Sequence, residues 1–136
     1  MKDLVGYHNA EKMGYSFQDA GDPMVFRTRK AVNHLVGARL WVISGEGWPR
    51  SYFLAGWFIV DRVGPCPEDP SERWVRGTVG QMFKPMIRLN KLSWFPRFRA
   101  SQSNFSLGLQ HIDDEFVPNF EAVAAEAAFA RSPSPP

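Results

Sequence analysis

The chain has 136 residues, the size of one ordinary domain, and its 44% hydrophobic and 14% aromatic content is ample for a packed core. A single cysteine, Cys66, excludes an internal disulfide and a cysteine zinc cluster, and three dispersed histidines argue against a metal site. The formal charge of +2 is only mildly basic, and no apolar run approaches the ~20 residues needed to span a bilayer.

Leu4–Asn9 reads as a short first strand. The N-terminus, Met1–Tyr7, lacks the apolar core of a signal peptide, so the expected compartment is the cytoplasm. Gly14, Gly21 and Pro23 punctuate a turn-rich stretch, with a loop over Asp19–Pro23. Met24–Arg27 reads as a second strand. Thr28 is placed to cap a helix over Arg29–Val36, whose apolar residues Ala31, Val32, Leu35 and Val36 share one face, and Gly37 to stop it.

The densest apolar signal is a β-hairpin from Arg39 to Val63. Leu40–Ile43 is β-branched and aromatic, Gly45–Arg50 breaks the run, and Tyr52–Val60 resumes it. The second arm is almost continuously apolar, which predicts burial on both faces. Gly56 in its middle predicts a bulge or sharp bend. Gly64–Glu72, with three prolines, reads as a loop, and Arg73–Gly80 as a strand. Ser93 is placed to cap a short helix through Phe98 to Ser101, with Pro96 in its first turn. Phe105–Ile112 reads as a closing strand or turn. Pro118–Ala130 is a helix whose Phe120, Val123, Ala124 and Ala127 share a face. Residues 1–130 form the expected single α+β domain, and 131–136 a disordered proline-rich tail.

Catalytic motifs are absent: there is no phosphate-binding glycine loop, no paired metal-binding histidines and no nucleophile elbow. Cys66 sits beside Glu68 and Asp69, whose charges oppose thiolate formation. No catalytic residue, metal ligand or cofactor is assigned, and the oligomeric state is left open. An enzymatic alternative, a small hydrolase or nuclease, needs an acid/base set drawn from His8, Lys12, Glu46 and His111. A further alternative is a protein-interaction module built on Trp48 and the C-terminal helix.

A binding surface is the stronger expectation. Between Arg73 and Ile112 there is no Asp or Glu, while Arg73, Arg76, Lys84, Arg88, Lys91, Arg97 and Arg99 fall there. These cations are expected to hold a nucleic-acid phosphate backbone. Tyr7, His8, Asn9, Tyr15, Trp41, Ser44 and Trp48 are the expected walls and polar edge of a base pocket. Trp57, in the continuous apolar run, is assigned to the core. Trp48 stands apart because a Gly/Pro loop offers it no core to join.

Tyr7-His8-Asn9 at the end of the first strand, then Val36–Gly45, then Tyr52–Val63 form a pattern that resembles the PUA-like superfamily, and within it the EVE-type domains, which are similar to YTH and ASCH domains. The family's strand-opening acid is replaced here by Ala38 and Arg39. The resemblance implies a small twisted β-barrel with flanking short helices and a C-terminal helix. It further implies a bacterial reader of modified bases in DNA or RNA, with a partner nuclease, or an ASCH-like amide hydrolase as the enzymatic counterpart. By position, Asn9, Ser44 and the neighbouring aromatics face the base pocket that it implies.

Overall fold

The structure, a computed structural model, describes residues 2–19, 21, 24–105 and 108–131, without the side chains of 18 and 129–131. Most of the expected 131–136 tail and most of the Asp19–Pro23 loop lie outside these residues. The described chain is mixed α and β, with eight strands in two sheets and a C-terminal helix.

In chain order the strands are β1 (Asp3–Asn9), β2 (Val25–Thr28), β3 (Arg39–Glu46), β4 (Ser51–Ile59), β5 (Arg62–Cys66), β6 (Asp69–Arg76), β7 (Gly80–Arg88) and β8 (Leu109–His111). The helices are α1 (Ala10–Met13), α2 (Phe95–Ser101) and α3 (Val117–Arg131). The larger sheet has the order β7-β4-β3-β1-β8 and the smaller one β2-β6-β5.

The predicted hairpin is β3 and β4, antiparallel, with Trp41 opposite Trp57. Its continuous apolar run has a direct cause, because both faces of the larger sheet are buried. Trp41 and Ile43 enter a cluster with Phe95, Phe98, Phe116 and Phe120 on the helical side. Leu40 and Val42 point the other way, into a cluster with Phe26, Phe58 and Val75 beneath the smaller sheet. The two-residue alternation of a strand distributes the same run between two cores. The register of β4 slips beside Gly56 against both neighbours, as a bulge there requires. A Cβ on Gly56 would stand 2.4 Å from the Gln81 carbonyl oxygen, so β7 can pack this closely only against glycine.

Three expectations are corrected. Thr28 does not start a helix over Arg29–Val36. It ends β2, and its Oγ1 accepts from the Lys30 amide at 3.1 Å, turning the chain. Only a short 3-10 turn, Asn33–Leu35, follows, with Val32 and Leu35 both buried. Gly64–Glu72 is not a loop. It is most of a β5–β6 hairpin, and β5 tolerates Pro65 because it is an edge strand. At its turn the Ser71 hydroxyl and amide donate to Asp69 Oδ1, at 2.6 and 2.9 Å, and hold that carboxyl below its ordinary pKa. Finally, Arg73–Gly80 is not one strand: β6 stops at Arg76, and Gly80 opens β7, which Lys84 and Pro85 in its middle conceal.

Cys66 is buried at the end of β5, and burial raises its thiol pKa above the ordinary value. Iodoacetamide is therefore expected to modify Cys66 quickly in urea and at least ~100-fold more slowly in the folded protein, as thiol titration checks.

The larger sheet is incomplete at one place. β1 pairs in parallel with β3 along all seven residues, but β8 covers only Leu4–Gly6 on the other side. Tyr7 still finds the Gly108 carbonyl at 2.9 Å. Beyond it, on the β8 side, His8 and Asn9 have no strand beside them among the described residues. β2, the edge strand of the smaller sheet, crosses close by: its Phe26 ring lies so near Gly6 that a Cβ there would be 2.8 Å from the ring. The two sheets meet at that contact and part beyond it.

Candidate nucleic-acid interface

Where the sheets part there is a cavity of about 900 Å³. The end of β1 and the segment after it contribute Tyr7, His8, Asn9, Lys12, Tyr15 and Phe17. β2 and its continuation contribute Phe26, Arg27, Thr28, Arg29 and Lys30, and Phe105 and Gly108 close one end. Its walls are thus largely aromatic and its rim largely cationic.

The aromatic wall is held firmly. The Tyr7 ring stacks on Phe105, centroids 4.8 Å apart and planes 7° from parallel. Phe105 reaches that position through a turn in which Ser103, Asn104 and Phe105 all have positive φ, at 51°, 54° and 66°. Such a conformation costs a bulky residue of order 1–3 kcal/mol, and strain of this kind concentrates at binding sites. Burial, with the neighbouring Tyr52, raises the Tyr7 pKa despite the opposing pull of Arg50 and Arg99, so Tyr7 stays a neutral phenol.

His8 is buried, and its Nε2 lies 2.8 Å from the Tyr15 carbonyl oxygen. The carbonyl can only accept, so Nε2 carries a proton; the tautomer with that single proton has Nδ1 as an acceptor. The same ring packs on Tyr15 and Phe17, at 5.1 and 5.4 Å. Asn9 caps α1: its Oδ1 accepts from the Lys12 amide at 3.2 Å and from the Arg50 guanidinium at 3.2 Å. That occupies its oxygen and leaves Nδ2 to donate. Tyr15 is 45% exposed at the rim.

Three of the expected pocket residues lie elsewhere. Trp41 is 1% exposed on the helical side of the sheet, its Nε1 donating to Asp3 Oδ1 at 2.9 Å and its ring against Phe120. It belongs to the core because β3 buries both faces. Ser44 is fully buried, and its Oγ accepts from the Phe17 amide at 3.4 Å, tying the Phe17–Asp19 turn to β3. Trp48 is 84% exposed at the β3–β4 tip, beside the cavity rather than in it.

The acid-free stretch does not become one basic face. Arg73 and Arg76 are on β6, Lys84 and Arg88 on β7, Lys91 in a turn, and Arg97 and Arg99 on α2. β7 is three strand spacings, about 14 Å, from β1. Arg97 is paired with Glu115 at 3.0 Å, Arg76 lies over Trp74, and Arg99 over Tyr52. None of the seven lines the cavity; Arg73 stands opposite Thr28 in the β2–β6 ladder, and Arg99 is near enough to act on Tyr7.

The cations that do surround the cavity are Lys12, Arg27, Arg29 and Lys30. Glu72 is the acid among them, 3.9 Å from Arg27, which also pairs with Glu68 at 3.3 Å. Lys30 Nζ donates to the Leu109 carbonyl at 2.5 Å, bridging the segment after β2 to β8 across the cavity end. Lys12 and Arg29 are exposed and have no ion pair among the described residues. Local sequence pattern hides this group. Phe26 to Lys30 carries three cations in five residues, but the run straddles an expected strand and an expected helix, so its charge was divided between them.

The acid/base set is not assembled. His8 and Lys12 share the cavity, but Glu46 lies at the tip beside Trp48, and His111 pairs with Leu4, four residues or about 13 Å along β1 from His8. Among the described residues no three His, Cys, Asp or Glu side chains gather as a metal site. No helix among them is long and apolar enough to cross a membrane.

No family model matches the chain, and neither does any curated protein or solved structure.

Proposed function

We propose that the protein is a noncatalytic nucleic-acid-binding domain that takes one base of a DNA or RNA strand, flipped out or modified, into the cavity between its two sheets. The observation that carries this reading is the composition of that cavity. Its walls are aromatic, and four cations stand at its rim against one acid that is already paired. Aromatic walls bind a planar base through its faces, whatever its sequence. His8 Nδ1, Asn9 Nδ2 and the Thr28 hydroxyl supply an acceptor and donors for its polar edge. Lys12, Arg29 and Lys30 are placed for the phosphates on either side. A volume of about 900 Å³ exceeds what one base needs, which leaves room for a modification.

The scaffold we propose is a PUA-like barrel of the EVE type.

The test is a fluorescence titration with modified and unmodified oligonucleotides at two salt concentrations. Binding that weakens with salt and prefers one modified base is the expected result. Absence of binding at low salt would sink the proposal.

A further inference from the structure

Trp48 is the most exposed large apolar side chain among the described residues, and nothing in the cavity accounts for it. It is nevertheless close to the cavity and firmly supported. A depression of about 570 Å³ runs beside it, lined by Asn9, Glu11, Lys12, Trp48 and Arg50, and Asn9 and Lys12 also line the cavity. The Arg50 guanidinium lies over the Trp48 ring, 5.9 Å from its centroid. Arg50 is itself fixed by Asn9 Oδ1 at 3.2 Å and Glu11 at 3.3 Å. One face of the indole is therefore backed by a cation that cannot move away freely.

We propose that Trp48 is a stacking platform for the base next to the one in the cavity, and that the ligand is consequently a single strand. This rests on the cavity reading above. An aromatic wedge driven into a duplex needs both of its faces free for the bases it separates. Arg50 stands on one side of Trp48 while the ring stays 84% exposed, so the side away from Arg50 is open to one unpaired base. Lys12, shared by cavity and depression, lies where the phosphate joining the two nucleotides must pass. A duplex, by contrast, calls for a long basic face, and the cations of β6, β7 and α2 are dispersed over different parts of the molecule.

The experiment compares wild type, Trp48→Ala, Trp48→Phe and the Lys12→Gln/Arg29→Gln double variant by anisotropy, using a labelled single-stranded eight-nucleotide probe of mixed sequence and its duplex. Loss of one base-stacking contact predicts that Trp48→Ala binds the single strand about 5- to 150-fold more weakly. Trp48→Phe is expected to retain most of the affinity, and the duplex to bind wild type more weakly than the single strand. Truncating a side chain that is 84% exposed leaves the cores intact, which circular dichroism checks. Unchanged affinity in Trp48→Ala beside a loss in the double variant overturns the platform and spares the cavity. A preference for duplex also overturns it. If wild type binds neither probe, cavity and platform fall together.

Discussion

Phe120→Ala is expected to lower the unfolding free energy by about 3–5 kcal/mol, the usual range for emptying a buried phenylalanine site. Phe120 is fully buried on α3, where its ring meets Phe98 at 4.9 Å, Trp94 at 5.0 Å and Trp41 at 5.4 Å. It joins the last helix to α2 and to the centre of the larger sheet in one contact set. Such a loss is a large fraction of the roughly 5–15 kcal/mol that holds an ordinary domain folded. Urea unfolding followed by tryptophan fluorescence should show a lower midpoint with an unchanged slope. Phe120→Leu, which refills most of the volume, is expected to recover more than half of the loss. If Phe120→Ala unfolds at the wild-type midpoint, α3 is not part of the cooperative core.

The second large effect is on binding. Lys12→Gln with Arg29→Gln is expected to weaken single-stranded nucleic-acid binding by about 3 kcal/mol, or roughly a hundredfold, as two charge-assisted contacts are lost. Each phosphate contact on a single strand contributes about −0.7 to the slope of log affinity against log salt, so the slope should flatten by about 1.4. Both side chains are exposed and without ion pairs among the described residues, so stability should change little. Arg88 and Lys91 supply the contrast. They belong to the acid-free stretch but lie on β7 and the turn after it, and their paired replacement by Gln is expected to leave affinity within about twofold. A hundredfold loss from Arg88 and Lys91 instead would move the interface to β7.

The fold was legible where local pattern and tertiary role agree. The β3–β4 hairpin, the bulge at Gly56 and the buried face of α3 all follow from spacing alone, because the side chains that define the pattern also form the core. Legibility failed where a tertiary setting overrode a local signal. Pro65 argues against a strand until β5 is known to be an edge. Thr28 looks like a helix cap, yet its hydroxyl serves a turn.

The candidate site was legible in half. Tyr7, His8, Asn9 and Tyr15 were identified because they cluster in sequence at the end of β1, and the structure keeps them together. The other wall comes from β2, about twenty residues on, through a sheet-to-sheet crossing that no local pattern announces. Phe105 arrives from still farther, by way of a left-handed turn that is invisible to propensity. The charge reading failed for a related reason. Seven cations in one acid-free stretch are spread over β6, β7, α2 and the turn after β7, while the cations that surround the cavity come from α1, β2 and the two residues after β2.

The most direct test of the cavity as a nucleic-acid site is a two-dimensional amide NMR titration of the protein with a short single-stranded oligonucleotide at low salt. Shift changes concentrated in Tyr7–Tyr15 and Val25–Lys30, with a weaker set around Trp48, are the expected result. Shift changes confined to β5 and β7, or none at saturating oligonucleotide, would contradict it.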